Sequence, residues 1–358
     1  MENFRPESKL ILKNLKEKVA FALKELKNYR EPKVEDIFNI NRYYLGPEDF
    51  KITNYLRSRA WSVFNPGALK IDDKVYIFPR LIFDFYAYVA SVGATVVNIE
   101  DLIEGNLRKP LDTKIILWPR ETWEQLGCED PRAFMKEKFY ILYCGRGYYQ
   151  LSDGKIIRND ALALAVLDKN WNVIKRGFFH VEKNNERHVP SNRDSAFLEI
   201  NGNHATLVTR PVVNGTKVCW RATSDLEKFS MPEEDLQPVF APEPWESHIG
   251  WSTNAVKLSK TEYLVGWHGV SKRDMAYRNG LALVDENGDL LAISNYILSP
   301  NGLNEEYGDR PFTTFGNGLI RHKDLLIWIG GLSDCFIGIF ITKLQTALDK
   351  LNWIKSRS

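Results

Sequence analysis

The chain has 358 residues, of which 44% are hydrophobic and 26% charged, a composition typical of soluble globular proteins. Its 48 basic and 46 acidic side chains leave a formal net charge of +2, so charge predicts binding to neither nucleic acid nor membrane. The N-terminal residues lack the apolar region and cleavage site of a secretory signal, and no apolar stretch is long enough to span a bilayer. We therefore expect a cytoplasmic protein.

Residues 1–34 are predicted to form a helical extension. Within it, residues 8–29 carry leucine and valine side chains at helical spacing among lysines and glutamates, and Pro32 is expected to end the helix. A second helix is expected at the C-terminus, over residues 342–358, because LQTALDKLNW restores the helical pattern. Both helices should pack outside the main domain, and the first is compatible with a contact in a homo-oligomer.

The main domain, residues 35–341, is predicted to be all-β, because short β-rich runs and turns replace the helical period. A hairpin pattern recurs in it: a small or polar residue, a short apolar strand, a polar turn and a second apolar strand. The starts are 65, 65, 59 and 63 residues apart, a step that is typical of propeller blades and that a sandwich does not explain. The sequence therefore predicts a five-bladed β-propeller. The five copies cover residues 65–80, 130–146, 195–211, 254–269 and 317–331.

Equivalent ends of the inner strands of a propeller converge on its axis, so residues at matching repeat positions should meet at one face. An arginine is costly to bury without an anion, and repeated arginines at hairpin ends predict a polar, anion-binding pocket. Any single one of them is better explained by an ion pair at the rim. The repeat starts carry Asn65, Asp130, Ser195, Asn254 and Asn317, and the hairpin ends carry Arg80, Arg146, Arg210 and His268.

Eight short motifs accompany these hairpins. They are FNPGA at 64–68, YIFPR at 76–80, CEDPR at 128–132, LVTRP at 207–211, WESHIG at 245–250, VGWHGV at 265–270, YRNGLALVD at 277–285 and IGGLSD at 329–334. In this order, and over about residues 60–340, they resemble the motifs of glycoside hydrolase family 130. The resemblance implies a five-bladed propeller that acts as a mannoside phosphorylase or mannosidase.

The resemblance also implies a role for each matching residue. Asp130, which precedes Arg132 in the EDPR motif, is implied to be the general acid, with its proton passing through a hydroxyl of the bound mannose. The positions implied to hold the sugar in the −1 subsite are Asn65, Arg80, Arg193, Asp194 and Asp334. The positions implied to bind inorganic phosphate are Arg210, His248, His268 and Tyr277.

Inverting cleavage needs a proton donor on one side of the bond and a nucleophile on the opposite face. Water would need a second carboxylate as base, whereas phosphate needs cationic and hydrogen-bonding groups. The implied phosphate positions carry no carboxylate, which favours phosphorolysis of a β-mannoside to mannose 1-phosphate. One position departs from the family, whose WExxKIG motif has a lysine where this chain has His248, a weaker cation at neutral pH. A β-mannosidase and a carbohydrate-binding propeller without turnover remain alternatives.

The expected partners are small molecules. Inorganic phosphate is expected as co-substrate, and a small-molecule or oligosaccharide mannoside as substrate. No metal ion or organic cofactor is implied, because the sequence has no glycine-rich nucleotide loop and its cysteines and histidines lack metal-ligand spacing.

Overall fold

The computed structural model describes residues 6–151 and 153–354, and β-strands dominate them. The helices are short apart from the first one. Those in the described residues are α1 (Lys9–Glu25), α2 (Ile99–Glu104), α3 (Leu303–Glu306) and α4 (Leu344–Leu348), with 3-10 turns at Pro47–Asp49 and Thr122–Glu124. The protein is therefore mostly β, as the sequence predicts.

The strands follow one another at short intervals along the chain. The first half contains β1 (Asn41–Leu45), β2 (Phe50–Ile52), β3 (Ser62–Ile71), β4 (Lys74–Ile82), β5 (Ala90–Asn98), β6 (Leu111–Leu117), β7 (Gly127–Met135), β8 (Phe139–Gln150), β9 (Ile156–Leu167) and β10 (Val173–Phe178). The middle contains β11 (His180–Lys183), β12 (Glu186–His188), β13 (Ser191–Asn201), β14 (His204–Val213), β15 (Thr216–Lys217), β16 (Cys219–Asp225), β17 (Ser230–Pro232) and β18 (Gln237–Phe240). The last part contains β19 (Glu246–Lys257), β20 (Glu262–Ser271), β21 (Tyr277–Asp285), β22 (Leu290–Ser294), β23 (Thr314–His322), β24 (Leu325–Leu332), β25 (Phe336–Lys343) and β26 (Leu351–Trp353).

Each hairpin predicted from the repeat is present. The pairs are β3–β4, β7–β8, β13–β14, β19–β20 and β23–β24, and all are antiparallel. A third antiparallel strand follows each hairpin, namely β5, β9, β16, β21 and β25. The repeat in the sequence therefore corresponds to a repeated antiparallel meander, and the prediction of the hairpins is confirmed.

The first strands of these meanders lie next to one another in a circuit. β3 contacts β7, β7 contacts β13, β13 contacts β19, β19 contacts β23, and β23 contacts β3 again. The meanders of β3 and β7 belong to one sheet, because Ala90 of β5 pairs with Gly127 of β7. β1, at the start of the main domain, pairs with β25, so an early strand completes the last sheet. Apolar side chains such as Ile77 and Ile329 fill the space between neighbouring sheets.

The N-terminal helix packs on the sheet that contains β11 to β18. Ser8 caps its N-terminus by accepting a hydrogen bond from the backbone amide of Ile11. Its buried face belongs to the hydrophobic cluster of that sheet and consists of Ile11, Leu15, Val19 and Ala22. Helix α1 ends at Glu25, earlier than the predicted limit at residue 29.

The C-terminal segment corrects the prediction of a helix over residues 342–358. Helix α4 covers only Leu344–Leu348, and the chain then enters strand β26. Leu351 to Trp353 pair with Ser294 to Ala292 of β22, because the exposed edge of that strand offers backbone partners. Residues 355–358 lie outside the described residues.

Among the residues that the structure describes, no helix is long and apolar enough to cross a membrane.

Candidate active site

The residues singled out from the sequence lie around one cavity of about 290 Å³. Most of its walls come from the first two strands of the meanders, and the rest from β15, β21, the loop before β23 and the turn after β24. All of the candidate acid, sugar-binding and phosphate-binding residues line it: Asn65, Arg80, Asp130, Arg193, Asp194, Arg210, His248, His268, Tyr277 and Asp334. The other lining residues are Lys217, Arg310, Thr313 and Phe315.

Local bulges in the inner strands turn three of these side chains into the cavity. Strand register shifts between Phe64 and Gly67, between Glu129 and Arg132, and between Arg193 and Ala196. Asn65, Asp130 and Asp194 lie within these bulges and have φ values of 42°, 52° and 55°. A bulge leaves its extra residue outside the ladder and re-aims its side chain, which is why bulges recur next to functional sites.

The bulges also correct the repeat register. The structurally equivalent residue in the third copy is Asp194, not Ser195, because its bulge starts one residue earlier than the aligned pattern. Asn254 is not a lining residue, since its side chain bonds the backbone of Leu319. Asn317 is buried but also lies outside the lining. Arg146 is likewise outside the lining, and its Nη1 lies 3.1 Å from Glu129 Oε1.

Asp130 lies among three arginines. Its Oδ1 accepts hydrogen bonds from Asn65 Nδ2 at 2.9 Å and Arg80 Nη1 at 3.1 Å, and its Oδ2 lies 3.8 Å from Arg193 Nη1. Burial alone would raise the pKa of this carboxyl, but the charges of Arg80, Arg193 and Arg132 lower it overall. Asp130 is therefore ionised near neutral pH among these arginines.

Two acidic residues outside the lining hold the arginines around Asp130 in place. Glu129 forms ion pairs with Arg80 Nη2 at 2.8 Å and with Arg193 Nη1 at 3.0 Å. Asp160 Oδ2 forms an ion pair with Arg193 Nη2 at 2.9 Å. Glu129 precedes Asp130 in the EDPR motif, so its position was visible in the sequence although its partners were not. Asp160 lies in β9 at a position that no motif marked.

Asp194 links the two halves of the cavity. Its Oδ1 accepts from Arg132 Nη2 at 3.2 Å and its Oδ2 from Arg210 Nε at 2.6 Å. Burial opposes ionisation, but Arg210 and Arg132 hold the pKa of Asp194 well below its usual range. Arg132 also donates to the carbonyl of Asp130 at 2.8 Å, so one guanidinium joins the two bulges.

The environment of Asp334 stabilises the protonated form of its carboxyl group. Asp334 lies in the turn after β24 with a φ of 55°. Burial raises its pKa to about 6, with Asp130 and Glu129 adding to the rise and Arg80 and Arg310 opposing it. Near neutral pH this group can therefore change its charge, unlike Asp130 and Asp194.

The opposite half of the cavity is rich in cations. Arg210 is 5% exposed, and its Nη1 has no hydrogen-bond partner among the described residues. Arg310 donates to the Tyr277 hydroxyl at 2.7 Å, and the same hydroxyl lies 3.2 Å from His248 Nε2. His268 stacks on Tyr277 with ring centroids 5.6 Å apart. An unpartnered, buried guanidinium beside further donors is suited to binding an anion.

The two histidines contribute hydrogen bonds rather than charge. Burial, followed by the nearby Lys217 and Arg210, lowers the pKa of His248 to about 4. Burial and Arg210 also hold the pKa of His268 well below its usual range, despite the opposing effect of Asp194. Both imidazoles are therefore neutral at pH 7, and the positive charge comes from the arginines and Lys217.

Sequence reasoning missed four lining residues, the uncharged Thr313 and Phe315 and the charged Lys217 and Arg310. Lys217 follows the third hairpin in the short strand β15, and Arg310 lies in the loop before β23. Neither belongs to a motif or to the repeat, so the sequence holds no signal for them. They reach the cavity through the path of loops that only the folded chain defines.

A larger cavity of about 700 Å³ lies beside the first sheet, with mostly apolar walls that include Tyr55, Phe83 and Trp118. Its described lining contains Asp84 as a carboxyl group and no basic side chain, so it lacks the paired charges of the smaller cavity. Within the described ranges, no group of three or more histidine, cysteine or acidic side chains is placed to bind a metal ion.

Comparison with known protein families identifies the family of the chain. The sequence profile of a glycoside hydrolase family described as beta-1,4-mannooligosaccharide phosphorylase matches residues 28–353. A search of curated proteins found no match. The fold, by contrast, is shared with several solved structures.

A beta-1,2-mannobiose phosphorylase from Listeria innocua, in complex with beta-1,2-mannobiose, is 17% identical with a TM-score of 0.62, over 87% of this chain and 99% of that one. A second structure comes from work on the GH130 family of mannoside phosphorylases, which reports that the family contains glycoside hydrolases that target beta-1,2 mannosidic linkages in Candida mannan. It is 16% identical with a TM-score of 0.64, over 90% of this chain and 94% of that one. A mannose phosphorylase from Leishmania mexicana, in complex with a phosphate ion, is 12% identical with a TM-score of 0.54, over 96% of both chains. At these identities the likeness concerns the fold.

Proposed function

The chain belongs to glycoside hydrolase family 130, which contains mannoside phosphorylases and hydrolases, and from this premise we propose that it cleaves a β-mannoside by inverting phosphorolysis. Inorganic phosphate is the proposed nucleophile and mannose 1-phosphate the product. The family match agrees with the resemblance read from the motifs.

We also propose that the meanders form the blades of a five-bladed propeller. The closed circuit of contacts among β3, β7, β13, β19 and β23 supports this arrangement. So does the pairing of β1 with β25, since propellers commonly protect their last sheet edge with a strand from the other end of the chain. The cavity would then lie where the inner strands converge.

The observation that carries the proposal is the state of Arg210. Its Nε is bound to Asp194 while its buried Nη1 has no partner among the described residues. A buried donor without a partner costs about 1–3 kcal/mol, so the position favours an anion that would accept its hydrogen bond. Water as a nucleophile needs a base instead, and the nearby Asp194 is a poor one because its pKa is held well below the usual range.

In the proposed reaction, a phosphate oxygen attacks the anomeric carbon from the side of Arg210, His268 and Tyr277. The bond from this carbon to the leaving oxygen breaks, and the proton of Asp130 reaches that oxygen through a hydroxyl of the sugar. Inversion gives α-mannose 1-phosphate, and Asp130 is left as a carboxylate that is reprotonated by solvent. Asn65, Arg80 and Asp334 are proposed to hold the sugar.

The charges around Asp130 place a condition on this role. The arginines lower its pKa, although a general acid must hold a proton at the working pH. A bound phosphate dianion would offset the charge of Arg193, Arg132 and Arg210. The pKa of Asp130 should then rise, so anion binding and proton donation are expected to be coupled.

Hydrolysis is the second candidate, and the neutral state of His248 favours it. The pKa of this histidine is lowered to about 4, so it supplies no charge at the position of the family's motif lysine. A weaker anion site would leave room for water. This alternative predicts cleavage that does not depend on phosphate.

The substitution Arg210→Lys tests whether the Arg210 guanidinium binds phosphate. A lysine keeps the charge but cannot bond Asp194 and an anion with one planar group, so we expect the KM for phosphate to rise about 10- to 100-fold. Arg321, exposed in β23, provides the control substitution Arg321→Lys, which should leave the KM unchanged. Mannoside cleavage that is equally fast without phosphate in the unmodified protein would refute phosphorolysis.

A further inference from the structure

We propose that Lys217, together with Arg310, completes the anion subsite and supplies the positive charge that His248 does not. The inference rests on the proposed function, because it takes the anion to be the phosphate nucleophile. It adds a residue from β15 to the site, outside every motif and every repeat copy. The cavity lining, the lack of a counter-ion and the local charge each support it.

The path of the chain brings Lys217 back over the cavity. Strand β14 carries Arg210, and the chain turns after Val213 so that β15 folds back on it, with Val212 opposite Lys217. Lys217 consequently lines the same cavity as Arg210, His248 and Arg310. This two-residue strand therefore places an ammonium group in the same lining as the Arg210 guanidinium.

Among the described residues, neither Lys217 nor Arg310 forms an ion pair with an acidic side chain, and the hydrogen bond found for the Arg310 side chain goes to the Tyr277 hydroxyl. The three other cations of the lining form ion pairs with nearby carboxylates. A partly buried cation without a counter-ion is unfavourable, so Lys217 and Arg310 favour an anionic ligand.

The pKa of Lys217 reflects the cations around it. Burial, followed by the like charges of Arg210, Arg193 and Arg310, lowers this pKa to about 8 against the opposing effect of Asp194. A bound phosphate would raise this pKa. The contribution of Lys217 to phosphate affinity should thus be fully present well below pH 8 and be lost as the free lysine loses its proton above it. The charged or titratable groups facing Lys217 are Arg193, Asp194, Arg210, His248 and Arg310.

Lys217 also lies at the boundary between the catalytic cavity and a second one of about 510 Å³. Lys217 and His248 line both cavities, and the second is also lined by Lys272. The Lys272 ammonium donates to the carbonyl of Pro244 at 2.7 Å and does not line the catalytic cavity. Lys272 is therefore a matched control that changes the same net charge nearby without touching the subsite.

The test measures binding of inorganic phosphate by calorimetry at about pH 7.5, in the absence of sugar. Lys217→Met is expected to raise the Kd about 10- to 100-fold, the range for one hydrogen bond to a charged group, while Lys272→Met should leave the Kd within about twofold. A Lys217→Met protein that binds phosphate as tightly as the unmodified one would overturn the inference.

Lys217→Arg keeps the test decisive if the methionine variant does not fold. An arginine stays charged above pH 8, so this variant should retain affinity at about pH 9.5, where the unmodified protein weakens. Equal weakening of both proteins would contradict the role of Lys217.

The inference and the proposed function fail in different ways. Phosphate that binds through Lys217 without any effect on mannoside cleavage would contradict phosphorolysis and leave the subsite intact. Phosphate that binds and reacts equally well in Lys217→Met contradicts the subsite alone. No binding by the unmodified protein contradicts both.

Discussion

At the scale of single residues, the cavity depends on backbone conformations that only its surroundings maintain. Asn65, Asp130 and Asp194 have positive φ, which costs about 1–3 kcal/mol for a non-glycine residue outside the common regions. Arg132 bonds both the Asp130 carbonyl and the Asp194 carboxylate, and Asn65 bonds the Asp130 carboxylate. These contacts hold the strained residues in the geometry that the proposed reaction requires.

Asp130→Asn should abolish turnover while leaving sugar binding nearly intact. The amide cannot donate the acid proton, so kcat should fall by about 10²- to 10⁴-fold. Its shape is close to that of the acid, and it can still accept hydrogen bonds from Asn65 and Arg80. Steady-state kinetics and calorimetric binding of the mannoside measure the two effects separately. An unchanged kcat would exclude Asp130 as the acid. If the unmodified protein bound the mannoside without cleaving it, the carbohydrate-binding alternative would be favoured.

At the scale of the strand, one meander supports the proposed acid in another. Gly331, in the IGGLSD motif of β24, lies against Asn65: a Cβ atom there would come within 2.0 Å of Asn65 Oδ1 and 2.6 Å of its backbone nitrogen. Asn65 in turn donates to Asp130. The last hairpin therefore sets the position of the first bulge, and through it the orientation of the proposed acid.

Gly331→Ala should consequently displace Asn65. We expect a loss of about 1–3 kcal/mol in unfolding free energy from overpacking, together with a lower kcat, because the bond from Asn65 to Asp130 is disturbed. Thermal melting and kinetics give the two values.

Gly202→Ala is the control for this substitution. Gly202 has a φ of 60° with no atom within 4 Å of the added Cβ, so alanine there should lower the melting temperature and leave kcat unchanged. If Gly331→Ala behaved in the same way, Asn65 would not orient Asp130.

At the scale of the whole molecule, the N-terminal segment stabilises two of the sheets. Strand β1 pairs with β25 over Asn41 to Leu45, and helix α1 covers the sheet of β11 to β18 with its buried face. Without them, one sheet would expose an unpaired edge and another an apolar surface. The N-terminal segment is therefore part of the folded body of the protein.

Removing residues 1–46 should prevent cooperative folding. This deletion takes away α1 and β1 together, whereas a chain that begins at Pro6 keeps both elements and serves as the control. Calorimetric melting should show one sharp transition for the control and none for the longer deletion. A sharp transition in both would mean that the sheets pack cooperatively without β1.

The sequence predicted those parts of the fold that local patterns determine. Alternating apolar runs around polar turns located the five hairpins, since a hairpin is decided by residues close in the chain. The bulge that places Asp194 instead of Ser195 in the cavity was not predictable, because a bulge forms in answer to packing against neighbouring strands. Strand β26 was missed for a similar reason: its residues follow a helical pattern, yet β22 offers them a free edge.

The candidate site likewise contains residues that local patterns predict and residues that only the fold brings together. The motifs and the family resemblance together gave the lining residues on the repeated strands, except Phe315 of β23. Lys217 and Arg310 come from segments that are not repeated, so only the fold brings them to the cavity. The neutral state of His248 likewise depends on burial and on Lys217, neither of which a sequence displays.

Phosphate, not water, is proposed to attack the mannoside. The most direct test is cleavage in ¹⁸O-labelled water with inorganic phosphate present, followed by NMR and mass spectrometry of the first products. We expect α-mannose 1-phosphate without ¹⁸O at the anomeric carbon, and no cleavage when phosphate is omitted. Free mannose that carries ¹⁸O, formed at the same rate with or without phosphate, would contradict this proposal.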